Sequence, residues 1–212
     1  FKKTSFIPSE PFPEPLAWTW GTTNGADLSW IPMPFKDSFR IAYSRTHYGT
    51  GYYIYKKYAN EENLSQPIKT WKMEKPDQDV VHLINQSGTD IAPKDIKKKI
   101  GKIRLTGDKV VLAHIQDQAS TVRALKLNLP LDKVLELEHL HLQVTWDDAE
   151  YPSIDAPLSL FFGAGTFFNR EKREYLVKGF PINIRYDYEN GIVELACYYP
   201  MPFFESAKFE IS

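Results

Sequence analysis

Hydrophobic and polar positions alternate with a period of two through much of the second half of this chain. Leu125, Leu127 and Leu129 alternate with Lys126 and Asn128, and Leu140, Leu142, Val144 and Trp146 alternate with His139, His141, Gln143 and Thr145. Successive side chains of a strand point to opposite faces, so each run predicts a strand with one face in a core and the other in water. The β pattern is steady from Ile103 onward. A helical period occurs in one clear place, where Val80, Leu83 and Ile84 fall at i, i+3 and i+4. Pro76 and Asp77 start that helix and Gly88 is placed to stop it. Asp132 to Glu138 predicts one or two helical turns between strands. Strands at this spacing, separated by turns and with one or two short helices, describe an all-β fold, an antiparallel sandwich of the jelly-roll kind.

One phrase occurs twice. Trp30-Ile31-Pro32-Met33-Pro34-Phe35-Lys36-Asp37-Ser38-Phe39-Arg40-Ile41 returns as Tyr198-Tyr199-Pro200-Met201-Pro202-Phe203-Phe204-Glu205-Ser206-Ala207-Lys208-Phe209. Both copies begin with an aromatic residue, share Pro-Met-Pro-Phe, place an acid before serine, and continue with a basic residue followed by a large apolar one. A proline has no N–H to give to a ladder, so the phrase reads as a strand entry, with regular pairing starting after Phe35 and after Phe203. Ala207, Phe209 and Ile211 then oppose Ser206, Lys208 and Glu210. Two equivalent entries imply two equivalent β units, a double jelly roll. The expected division is a first unit over residues 1–100, carrying a proline-rich arm, and a second over residues 101–212.

The first hundred residues are less regular. Pro8 to Pro15 hold four prolines and read as an extended arm. Leu16 to Trp20 predicts a short strand and Gly21 to Gly25 a turn. Phe39 to Tyr43 and Tyr52 to Tyr55 predict a hairpin with a long polar tip over Ser44 to Gly51. The basic run Lys94 to Lys102 reads as a solvated connector.

Composition narrows the function. A 42% hydrophobic and 14% aromatic content supports a folded core. Lys and Arg number 26 against 27 Asp and Glu, so charge gives no reason to expect nucleic acid or an anionic membrane as partner. No run approaches the length of a membrane span. Cys197 is the single cysteine; it excludes an internal disulfide and reads as a buried structural thiol. With neither an initiator Met nor a signal peptide at Phe1-Lys2-Lys3, the chain reads as a piece of a longer protein, and its compartment stays open.

His139-Leu140-His141 places two imidazoles on one strand face, as a cupin metal site does, but the glycine and glutamate of that pattern are missing, so neither metal nor cofactor is expected. Serine-elbow, phosphate-loop and zinc spacings do not occur. The remaining constellation suits sugars, which are held by aromatic faces and by carboxylates, amides and guanidinium groups. Trp18, Trp20, Asn24, Asp27 and Trp30 form one cluster; Trp146-Asp147-Asp148 with Asp155 forms another. Core tryptophans and turn aspartates are the competing reading for each of these residues.

Trp146-Asp147-Asp148, Tyr151-Pro152-Ser153-Ile154-Asp155-Ala156-Pro157-Leu158, Phe161-Phe162-Gly163-Ala164-Gly165 and Cys197-Tyr198-Tyr199-Pro200-Met201-Pro202-Phe203 with Ser206-Ala207-Lys208 resemble, in that order, glycoside hydrolase family 172. The resemblance covers roughly Val110 to Ser212. It implies a double jelly roll assembled as trimers or hexamers, with sugar sites near subunit contacts. It also implies retaining hydrolysis or transfer at α-fructofuranosides or α-arabinofuranosides by a glutamate pair. The chain departs from the family in having Asp155 where Glu is common, and Ser159-Leu160 where Gly-Asp is usual. The Gly-Glu-Gly-Asp-Glu and Thr-Glu-Asp-Tyr stretches that carry the family's glutamates do not occur here. The resemblance therefore assigns no catalytic residue to this chain, and leaves Trp18, Trp20, Asn24, Asp27, Trp30, Asp147, Asp148 and Asp155 as substrate-binding candidates. The expected partners are an oligosaccharide or furanoside, further copies of the chain, and the remainder of the same protein. A carbohydrate substrate favours a secreted or periplasmic setting. The competing class is a non-catalytic module, either carbohydrate-binding or a capsid-like structural protein.

Overall fold

The structure, a computed structural model, describes residues 10–23, 25–41, 51–59, 64–105, 107, 109–116 and 119–212. The chain divides into two units, Phe1–Asn85 and Gln86–Ser212.

In the first unit, the prolines of the arm end in a turn where Leu16 and Ala17 donate backbone N–H groups to the Pro13 carbonyl. There follow β1 (Ala17–Trp18), a single helical turn α1 (Trp20–Thr23) and β2 (Leu28–Ser29), which pairs antiparallel with β1. Leu16, Ala17 and Ile31 are buried, and Phe12 meets Trp71 edge-on at 5.7 Å between centroids. The predicted helix is present as α2 (Gln78–Asn85). The Asp77 carboxylate accepts the Asp79 N–H at 3.0 Å, capping the first turn, and Gly88 takes the left-handed φ of +84° expected of a stop. Over the described residues the first Pro-Met-Pro-Phe launches no strand: residues 35–41 and 52–55 carry no ladder. The equivalence expected of the two copies is therefore absent over those residues. The remainder of the expected hairpin, residues 42–50, lies outside the described residues. A strand entry yields a strand only where partner strands receive it, and β1 and β2 are the strands described in this unit.

The second unit is an antiparallel sandwich. Its strands are β3 (Val110–Gln116), β4 (Ser120–Val122), β5 (Leu125–Pro130), β6 (His141–Trp146), β7 (Ile154–Pro157), β8 (Tyr175–Lys178), β9 (Ile182–Asp187), β10 (Ile192–Cys197), β11 (Met201–Phe203) and β12 (Ser206–Ile211). A 3-10 turn (Leu131–Lys133) and α3 (Val134–Leu137) lie between β5 and β6, and α4 (Leu158–Phe161) follows β7. Among the described residues one sheet runs β5-β10-β9-β8 and the other β3-β12-β6-β7, with β11 and β4 as a separate pair.

These three pieces share one long ribbon. Ile211 opposes Val110, Ser206 opposes Gln116, Phe203 opposes Ser120, and Cys197 opposes Leu125. Residues 110–116, 120–122 and 125–130 thus run antiparallel to partners within 192–211 in nearly constant register, in one sheet, the separate pair and the other sheet in turn. That crossing ribbon is the jelly-roll feature of the unit; β6-β7 and β8-β9-β10 are hairpins that stay within their sheets. The ribbon includes Pro202 of β11, which faces Thr121 of β4, so pairing begins before Phe203 rather than after it. Proline is tolerated because β11 pairs on one side only.

Side-chain alternation closes the sandwich. Leu142 and Val144 of β6, Ala207, Phe209 and Ile211 of β12, Ile184 and Tyr186 of β9, and Val193, Leu195 and Cys197 of β10 meet in one core, joined by Leu158, Phe162 and Phe167. Burying each such aliphatic or Phe side chain contributes roughly 1.5–3 kcal/mol. Cys197 lies inside as expected, and burial pushes its thiol up. The Tyr186 hydroxyl is likewise pushed up to about 12 by burial, and it donates to the Phe167 carbonyl.

Candidate functional site

The turn after β6 shows why Trp146-Asp147-Asp148 stands beside the second Pro-Met-Pro-Phe in the fold. Ala149 donates to the Trp146 carbonyl at 3.0 Å across Asp147 and Asp148, whose φ values are +53° and +51°. Such a pair suits Asp, which tolerates the left-handed region better than most side chains. Asp147 Oδ1 then accepts the N–H groups of Phe204 (2.9 Å), Glu205 (2.7 Å) and Ser206 (3.2 Å). The Glu205 N–H foremost, with those of Ser206 and Phe204, holds the Asp147 carboxyl below the usual carboxylate range. The Ser206 hydroxyl donates to Asp148 Oδ1 at 3.0 Å and accepts the Asp148 N–H at 3.2 Å. The two motifs therefore clamp one corner between β6, β11 and β12.

Asp155 lies elsewhere, on the outer face of the sheet. Leu142 and Val144 point into the core, so His141, Gln143 and Thr145 point outward. Asp155 of β7 sits opposite Gln143; its Oδ1 is 2.7 Å from His141 Nδ1 and its Oδ2 accepts the Gln143 amide at 3.0 Å. The His141 contact, followed by that of Gln143, lowers the Asp155 pKa, and His141 Nδ1 is placed to donate to that carboxylate. The polar row continues to Glu210, opposite Gln143 on β12. A register shift between Phe209 and Glu210 accompanies the burial of Glu210 at 5% exposure. Burial pushes the Glu210 carboxyl up, but Lys208 at 2.8 Å and Lys109 at 3.1 Å outweigh it and the net direction is down.

Beside His141 opens a cleft of about 280 Å³ lined by Glu138, His139, His141, Pro157, Ser159 and Leu160 among others. Glu138 closes α3, and its Oε2 accepts the Thr166 hydroxyl and the Phe167 N–H, both at 2.6 Å. Burial raises its pKa, yet these two donors outweigh burial and lower it. His139 and His141 both line this cleft, but they do not share a strand face as expected, because His139 lies in the turn before β6, and His141 is committed through Nδ1 to a carboxylate. Sequence reasoning passed over Glu138, whose neighbours in the fold, Thr166 and Phe167, are distant in sequence.

The tryptophan cluster belongs to the first unit. Trp18 and Trp30 are exposed at 37% and 64%. Trp18 donates its indole N–H to the Pro15 carbonyl at 2.6 Å, and Asp27 Oδ1 accepts the Trp20 N–H at 2.8 Å. Asn24 lies outside the described residues.

Fold and site together define a protein with an antiparallel β-sandwich that carries a hydrogen-bonded polar row on the outer face of one sheet and a small acid- and imidazole-lined cleft at its end. The family described as GH172 domain-like matches residues 95–212, which take in every strand of that sandwich. The chain belongs to this family, and is thereby related to glycoside hydrolases. No curated protein matches the chain.

Proposed function

We propose that the chain is part of a carbohydrate-active protein related to retaining glycoside hydrolases of α-furanosides, such as α-fructofuranosides or α-arabinofuranosides, and that its own residues bind sugar while the catalytic glutamate pair comes from outside it. The family match over the whole sandwich carries this reading. The geometry supports the division of labour. Retaining hydrolysis needs two carboxyl groups roughly 5–5.5 Å apart across a sugar, one free to attack. Asp147 Oδ1 already accepts three backbone N–H groups and both oxygens of Asp155 are engaged, so neither serves as that nucleophile. Asp148 is tied to Ser206. These acids order the corner and face against which a sugar packs, and Trp18 and Trp30 offer exposed rings for sugar C–H surfaces.

The test pairs binding with turnover. The chain is titrated with methyl α-L-arabinofuranoside and methyl α-D-fructofuranoside, and incubated with the corresponding aryl glycosides. Saturable binding without release of the aryl alcohol is expected. Turnover by the chain alone would overturn the placement of the glutamate pair. Absence of binding to either furanoside and to their oligosaccharides would favour a structural module.

A further inference from the structure

We propose that residues 94–105, the stretch that leads into β3, form a contact surface for an anionic lipid bilayer. Lysines and Arg104 meet the headgroup phosphates, and Ile100, Ile103 and Leu105 enter the boundary between headgroups and acyl chains. This is independent of the carbohydrate reading and concerns where the protein is held rather than what it acts on.

The near-neutral charge of the whole chain conceals a local excess. Residues 94–104 hold Lys94, Lys97, Lys98, Lys99, Lys102 and Arg104 against Asp95 alone, in a chain whose net charge is -1. Such a run is ordinarily a solvated connector, and residues 94–105 do carry no helix or strand. Two observations set this one apart. The first is what the cations do. Lys99 donates to the His114 carbonyl at 2.7 Å, which ties the stretch to β3. Lys94, Lys97, Lys98, Lys102 and Arg104 are exposed and have no hydrogen bond or ion pair among the described residues, so their charge is left for an outside partner. The second is what stands between them. Ile100 is 89% exposed, Ile103 40% and Leu105 42%. Around Gly101, no described atom beyond its chain neighbours comes within 4 Å of where a Cβ would stand. A connector that needs only to be soluble has no use for aliphatic side chains held in water, whose burial is favourable.

The stretch is also presented rather than trailing. Before it, Asp90 pairs with Lys126 and accepts the Ala92 N–H at 3.0 Å; after it, Lys109 pairs with Glu210 at 3.1 Å. Anchors on both sides lower the entropy lost when the segment is ordered on a surface.

Cationic and aliphatic side chains in one exposed run fit a surface that is anionic outside and apolar beneath. A bilayer of anionic lipids attracts each Lys or Arg near it and accepts aliphatic side chains below the phosphates. A nucleic acid shares the phosphates, but proteins that hold single strands stack the bases on aromatic rings, and residues 94–105 contain none. An acidic polysaccharide takes the charges and leaves Ile100 in water.

The experiment sediments the chain with vesicles of phosphatidylcholine alone and of phosphatidylcholine mixed with phosphatidylserine. Binding to the mixed vesicles only is expected. It is lost as salt rises from about 0.1 to about 1 M, where the screening length falls from about 10 to about 3 Å. Replacing Lys97→Gln together with Lys98→Gln weakens binding roughly ten- to thirtyfold, and Ile100→Ser weakens it with no change of charge. All three positions are exposed, so both variants keep the thermal midpoint of the wild type by circular dichroism. Binding to both kinds of vesicle equally, or to neither, would overturn the proposal, as would unchanged affinity in either variant. Heparin and duplex DNA probe the other polyanions. If they bind as tightly as the mixed vesicles and Ile100→Ser changes nothing, the stretch is a general polyanion surface and the lipid assignment fails.

Discussion

Asp147 shows how a single acceptor can organise a corner. Three N–H groups after Phe203 converge on one oxygen, and a buried Ser206 is locked beside it by Asp148. Asp147→Ala leaves those donors to water or to nothing, whereas Asp147→Asn keeps an acceptor oxygen without the charge. The expected order of thermal midpoints is wild type, then Asp147→Asn, then Asp147→Ala, read by circular dichroism. The pH dependence has a definite sign. Because the folded-state pKa of Asp147 is depressed by the Glu205, Ser206 and Phe204 N–H groups, its contribution is present above the unfolded carboxylate value of about 3.9 and is lost as pH falls through the folded value. The difference in midpoint between wild type and Asp147→Asn should therefore shrink on acidification below about pH 4; a constant difference would show that the charge is not what the amides hold. This role was only half legible in the sequence. Two consecutive aspartates after a strand are a turn signal, but the amides they serve lie across the ribbon, and nothing local to Asp147 points there.

At the scale of elements, legibility followed burial. β5 and β6 could be read from alternation because each buries one face, and α2 from its period, its Asp77 cap and Gly88. Glu138 was hidden because its meaning depends on residues 166–167 arriving from another part of the chain. The two copies of Pro-Met-Pro-Phe met different fates for a related reason. The second copy leads into β12, which pairs with both β3 and β6 and carries Phe209 into the core against Trp146 at 5.7 Å. The first has no such partners among the described residues of its unit. What makes the strand is the pairing on both sides, with the phrase only opening it. Truncating the centre of β12 should therefore be costly: Phe209→Ala, at 2% exposure, is expected to destabilise by about 3–5 kcal/mol, measured by urea unfolding. Truncating the exposed Phe204 on the corner, 78% exposed, should change stability by less than about 0.5 kcal/mol. A large effect at Phe204 would mean that the corner is covered by a partner in solution.

That last outcome belongs to the whole molecule. β3 and β7 bound one sheet of the sandwich, and β5 and β8 the other, so four strands have a side not paired within the sheets described. An unpaired edge presents N–H and C=O groups that a second chain can take up. Natural proteins either blunt such edges or use them, and a closed ring of identical copies uses them without leaving a free end. We expect the chain to assemble, with a trimer or hexamer as the closed form, and sedimentation across micromolar concentrations distinguishes this from a lone folded monomer. The location of the edge can be tested separately. Lys178→Pro in β8 removes a backbone N–H that faces away from β9 and fixes φ on the outer strand of its sheet, since the Gly179 N–H bonded to the Ile182 carbonyl makes the adjacent Lys178–Asn183 pair the one without ladder hydrogen bonds. If β8 mediates assembly, the variant dissociates at concentrations where the wild type is associated, while the near-ultraviolet signal of the buried aromatic core stays. If association persists unchanged, β8 is not the contact, and β3, β5 and β7 become the edges to probe.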